Sequence, residues 1–165
     1  MLIAVLLLPG VAASADAAKE AYQKGNSCLD KKDYDAAITA FTEAIRLDPK
    51  FAKAYNNRAI AYGQKGELDK AIADSTEAIR LDPKYARAYW DRGIAYFWKG
   101  DYDKAIADET EAIRLDQKLV QAYESRAEAY EAKGEYDKGI TDYTKVIRLD
   151  SKNAMAYCNR GNAYG

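Results

Sequence analysis

Residues 54–84 read AYNNRAIAYGQKGELDKAIADSTEAIRLDPK. The same string returns at 88–118 as AYWDRGIAYFWKGDYDKAIADETEAIRLDQK and at 122–152 as AYESRAEAYEAKGEYDKGITDYTKVIRLDSK. Tyr55, Tyr89, Tyr123 and Tyr157 step by 34 residues, as do Tyr62, Tyr96, Tyr130 and Tyr164, and Arg46, Arg80, Arg114 and Arg148. A fixed period of this length marks stacked helix-turn-helix units. Within one unit Tyr55, Ala59 and Tyr62 fall on one helical face, and Ala71, Ile72, Ser75, Ala78 and Ile79 on one face of a second helix. Gly66, Gly100 and Gly134 separate the two pieces, at the place where a left-handed residue ends a helix. Acidic pairs such as Asp101 and Asp103 follow, near the positive end of the second helix. That helix closes at Asp82-Pro83, where proline cannot extend it.

This pattern resembles the tetratricopeptide repeat (TPR) family. It is carried by Tyr55, Ala59, Tyr62, Gly66, Ala71, Ala78 and Pro83 and their equivalents, from Ala18 to Gly165. The resemblance implies an all-α fold, a right-handed superhelical solenoid with a concave groove. Repeats are expected at 18–51, 52–85, 86–119 and 120–153, with a half repeat at 154–165. Three departures matter. Repeat one has Cys28 in a core tyrosine slot and Lys32 in place of the turn glycine. Gln117 and Ser151 replace the closing proline, so the second helices of repeats three and four are expected to run longer. Gly139 replaces alanine at the tightest helix contact.

Composition narrows the function. Across 165 residues there are 25 basic and 26 acidic side chains and no histidine. The balance lacks the basic footprint of a nucleic-acid binder. Without histidine the commonest general base and zinc ligand are gone. Cys28 and Cys158 are too few for a disulfide framework and lack a CxxC spacing, and four repeats separate them. There is no GxGxxG or P-loop, and Asp and Glu follow the repeat as solvated faces and caps. The chain is read as non-catalytic, with no cofactor and no metal.

At the N-terminus Leu2–Leu8 form an apolar run, then Pro9-Gly10 and the small residues Ala13 and Ala15. This reads as a signal peptide over 1–15 cleaved after Ala15, although no Lys or Arg precedes Lys19. The alternative is an apolar helix capping the first repeat. Export to the periplasm or medium follows from the first reading, a cytoplasmic location from the second. The run is far shorter than the ~20 residues of a membrane span.

Arg58, Arg92, Arg126 and Arg160 recur with Asp74, Asp108 and Asp142 sixteen residues after the first three. A ladder gripping an anion is one reading; matched charges in matched positions favour Arg–Asp pairs tying helices together. The resemblance also assigns the groove-facing slots. A peptide-binding face is expected from Lys53, Asn56, Asn57, Ile60, Arg87, Trp90, Asp91, Ile94, Phe97, Glu124 and Glu128. Trp90 is the expected aromatic anchor, while Trp98 divides evenly between the groove and packing on a neighbouring repeat. Lys53 and Arg87 lie to one side, Glu124, Glu128 and Glu131 to the other, which suits a ligand with an apolar centre and opposite charges at its ends. Some co-chaperone TPR domains clamp a C-terminal carboxylate; Asn26, Asn57 and Arg87 match that clamp, but Tyr22 and Asp91 stand where it needs cations.

The function expected is a protein–protein interaction scaffold holding a partner's peptide segment. The alternatives are a self-assembling array joined as a homodimer through residues 154–165, or a regulatory piece of a larger protein.

Overall fold

The computed structural model describes residues 9–163, with side chains from Ser14 onward. They form α1 (Pro9–Asp30), α2 (Tyr34–Leu47), α3 (Ala52–Gln64), α4 (Leu68–Leu81), α5 (Ala86–Trp98), α6 (Tyr102–Leu115), α7 (Val120–Ala132), α8 (Tyr136–Leu149) and α9 (Ala154–Ala163). No strand occurs among the described residues. Each helix packs against its sequence neighbours, and α3, α5 and α7 also touch one another in succession. The result is the expected all-α, right-handed superhelical solenoid. Odd-numbered helices line one surface of the stack and even-numbered helices the other.

Small residues set the spacing. Ala54, Ala88, Ala122 and Ala156, and Ala44, Ala78 and Ala112, are buried at equivalent positions of successive units, so helix backbones approach closely. Gly139 lies under α7: an added Cβ would stand 3.3 Å from the Ala127 carbonyl oxygen. The turn glycines Gly66, Gly100 and Gly134 have φ between +75° and +81°, and Lys32 takes the same region at +60°.

Three expectations need correction. First, α6 and α8 are 14 residues long, as are α2 and α4. The helices stop at an aspartate rather than at the proline: Asp48, Asp82, Asp116 and Asp150 each accept a hydrogen bond from the backbone N–H two residues on. This Asx turn works with Gln117 or Ser151 next to it as well as with proline. Second, the repeating tyrosines are mostly half-buried, because they flank an arginine instead of filling a dry core; Arg58 lies over the rings of Tyr55 and Tyr62. Third, Cys28 is half-buried beside Phe41 because Tyr22 and Phe41 take most of that space, while Cys158 is exposed; both are free thiols.

Of the N-terminal expectation, residues 1–8 lie outside the described residues. Pro9–Ala15 belong to α1, so the expected cleavage point falls within a helix. No helix among the described residues is long and apolar enough to cross a membrane.

Candidate functional site

The arginine ladder is structural. Arg58 on α3 donates from Nε and Nη2 to both oxygens of Asp74 on α4, at 2.7 and 2.8 Å, and from Nη1 to Thr42 Oγ1 on α2 at 3.0 Å. Arg92 joins Asp108 and Thr76 in the same way, and Arg126 joins Asp142 and Thr110. Each guanidinium therefore fastens the two helices of its own unit and the last helix of the unit before. The pairs are largely shielded, and the bidentate forks to Asp74 and Asp108 hold Arg58 and Arg92 above their ordinary pKa. On the outer rim, Lys65–Asp35, Lys99–Asp69 and Lys133–Asp103 also bridge successive units. Their aspartates are exposed, so solvent screens these pairs and they add little to stability.

The concave surface carries a second ladder that the sequence reading missed. Asn57 Nδ2 donates to Tyr22 Oη at 3.0 Å and to Asn26 Oδ1 at 2.7 Å. Asn56 Nδ2 donates to Asp91 Oδ2 at 2.7 Å, and Trp90 Nε1 donates to Ser125 Oγ at 2.8 Å. The pairs 22/57, 56/91 and 90/125 share an offset of 35 residues, one more than the repeat. Chemically complementary side chains at that offset were the available signal.

This ladder redistributes the expected peptide-binding residues. Asn56 is fully buried, and Asn57 is committed to repeat one. Trp90, the expected anchor, is half-buried, hydrogen-bonded to the next repeat and covered by Arg87, whose guanidinium carbon sits 4.3 Å from the ring centre. It braces one repeat against the next. Arg87 also donates to Asp91 Oδ2 at 3.3 Å. Burial pushes the Asp91 carboxyl up to about 6, against the lowering effect of Arg87 and Asn56.

Glu124 accepts from Asn153, and Glu131 from Tyr143. Glu128 is exposed, yet its carboxyl is raised, first by partial burial and then by the charges of Glu124 and Glu131. Lys53 is exposed. The expected division into a basic and an acidic end is therefore reduced to Lys53 and Glu128, the members without side-chain hydrogen-bond partners among the described residues. Phe97 packs edge-on against Trp98 and beside Tyr102.

What remains open is a cavity of about 100 Å³ between α3, α4 and α5. Ile60 and Ile94 form its sides, Ala59, Gly63 and Ala71 its floor, and Asp91 its single charged lining group; Trp98, 70% exposed, stands at the rim. The aromatic contact offered to solvent is thus Trp98 rather than Trp90. Nearby, Asn26, Asn57 and Arg87 do converge on a shallower hollow. Asn57 Nδ2 there already serves Tyr22 and Asn26, and Arg87 Nε serves Asp91. No cluster of metal-ligating side chains occurs among the described residues.

Models of the TPR repeat match residues 25–66, 61–100 and 132–165, and a tetratricopeptide repeat model matches 86–119. The chain belongs to the tetratricopeptide repeat family. It is 47% identical over 49 residues to Hsp70-Hsp90 organizing protein 1 of Glycine max, covering 30% of this chain and 9% of that protein. Among solved structures it is similar to MamA, with a TM-score of 0.80 and 28% identity over 90% of this chain and 81% of that one. It is also similar to the first TPR of Spaghetti (RPAP3) bound to an HSP90 peptide, with a TM-score of 0.67 and 25% identity over 68% of this chain and 90% of that one. The chain spans less than a tenth of the length of the first curated relatives it matches.

Proposed function

We propose that the chain is a non-catalytic interaction scaffold whose concave face, between α3 and α5, holds an extended segment of a partner protein. The observation that carries this reading is the cavity rimmed by Trp98. A large aromatic side chain 70% exposed beside an apolar hollow is a surface that association would cover. The TPR domain of Spaghetti (RPAP3), similar in fold, holds a peptide in its structure, which supports the same use here. Peptides selected from a random displayed library against the immobilised chain test the proposal. Trp98→Ala should weaken the selected peptides by about 2 kcal/mol, the range of an aromatic hot spot. Tyr136→Ala, at a 54% exposed aromatic on α8, should leave them unchanged. Equal losses in the two variants, or none in Trp98→Ala, would remove the groove from the account.

A second reading, self-association through residues 154–165, is favoured by α9. Met155 and Tyr157 are 68% and 46% exposed there, next to Leu149 at 37%. A contact between two such ends would be self-complementary and closed.

A further inference from the structure

The cavity between α3, α4 and α5 owes its existence to one residue. At the position of Gly63 the other repeats carry Leu29, Phe97 and Glu131. Each of those side chains occupies the corresponding space in its own unit: Leu29 packs against the Phe41 cluster, Phe97 against Tyr102, and Glu131 beneath Tyr143. Gly63 supplies nothing, and an added Cβ there would find only the Ala71 methyl, at 4.0 Å. The hollow is a side-chain slot left open.

We propose that this slot is a socket for one cationic side chain, a lysine or arginine, projecting from the partner segment held in the groove. The inference rests on the groove reading above and specifies its chemistry. Ile60, Ile94 and the Trp98 ring sheath a space of about 100 Å³, suited to an aliphatic stem; apolar cavities of ~150 Å³ hold a benzene ring. Asp91 is the single charged group in the wall. Its two hydrogen bonds, from Asn56 and Arg87, both end on Oδ2, and Oδ1 accepts none among the described residues. Arg87 is a poor counterion, since its contact is 3.3 Å long and its own side chain is 49% exposed. An ammonium or guanidinium entering along the apolar walls would reach a carboxylate already desolvated and held in place, where a charge-assisted bond is strongest. A carboxylate ligand would meet like charge, and a wholly apolar one would seal Oδ1 away from any donor. Burial that lifts the Asp91 carboxyl to about 6 agrees with a group lacking a full counterion.

The probe is a set of capped alanine heptapeptides with lysine, norleucine or glutamate at the centre, titrated into the isotope-labelled chain and followed by NMR. The lysine peptide should shift the Gly63 and Ile94 amides and the Trp98 indole, and bind about tenfold more tightly than the norleucine peptide. The glutamate peptide should leave these signals in place. Asp91→Asn, which keeps an acceptor for Asn56, should bring the lysine and norleucine affinities together. Gly63→Leu, borrowing the residue of repeat one, should abolish the shifts of both while the helical circular dichroism is retained. Binding of norleucine as tight as lysine overturns the socket but leaves the groove reading intact, as do shifts confined to other parts of α3, α5 and α7. Shifts from the peptides only outside the concave face, or none at all, overturn both.

Discussion

Glu109 occupies the column that Phe41, Ser75 and Tyr143 fill in the other repeats. It is 1% exposed, and neither carboxylate oxygen has a hydrogen-bond partner among the described residues. Gly93 makes room for it: an added Cβ there would stand 2.7 Å from Glu109 Oε1, as Gly25 makes room for Phe41. Burial raises the carboxyl well above the glutamate range. The charges of Asp108, Asp91 and Glu128 push the same way, and Arg126 opposes them. Below about pH 4.3 folded and unfolded chains both carry this proton. As the pH rises the unfolded chain releases it first, so the folded state loses stability until the folded carboxyl itself ionises. Asp91, lifted to about 6, contributes the same loss over a lower range. Urea unfolding should therefore show stability falling as the pH rises above about 4.3, a limb to which Glu109 and Asp91 both contribute. Glu109→Phe restores the Gly–Phe pairing of repeat one. It should add about 2 kcal/mol at neutral pH and flatten that limb, as replacement of a buried charge by a fitting apolar side chain does. A variant as pH-dependent as the parent would show that Glu109 is not the cause. The period already placed residue 109 on the buried face through Ser75. Reading all carboxylates as solvated faces hid it, because composition gives sign and periodicity but not depth. The Arg58–Asp74 pairing was legible for the opposite reason: two columns of opposite charge kept step along the chain.

At the scale of elements, the order of helices and their turns followed from period and glycine placement. Their ends followed from chemistry that a proline-centred reading passes over. Asp116 and Asp150 close their helices by the same Asx turn as Asp48 and Asp82, so losing the proline changed no helix length. Lys32 shows the converse: the turn geometry persists at φ +60° without glycine, because the packing of α1 on α2 fixes it. The last described element, α9, leaves Met155 and Tyr157 exposed. Arg160 reaches Thr144 at 3.3 Å, and it stacks on Tyr157, with no carboxylate partner among the described residues. If this end pairs with a second copy, light scattering should give twice the chain mass, and a chain lacking residues 154–165 should fall to the single mass. The single mass for both, across a wide concentration range, would exclude self-association.

Over the whole molecule, stability and recognition occupy different surfaces. The Arg–Asp–Thr and Lys–Asp links join each repeat to the next, as a solenoid requires when each unit contacts only its neighbours. The concave face is braced by its own polar ladder, and the gap at Gly63 interrupts the filled slots beside it. The groove slots could be assigned from the repeat, but which of them were free could not. The pairs 56/91 and 90/125 form only when successive first helices are set side by side, which no single repeat reveals. Hydrogen–deuterium exchange of the chain with and without a library-selected peptide tests the central claim most directly. Added protection should fall on 52–64 and 86–98, the spans of α3 and α5. Protection confined to the outer helices α2, α4, α6 and α8, or to α9 alone, would contradict it.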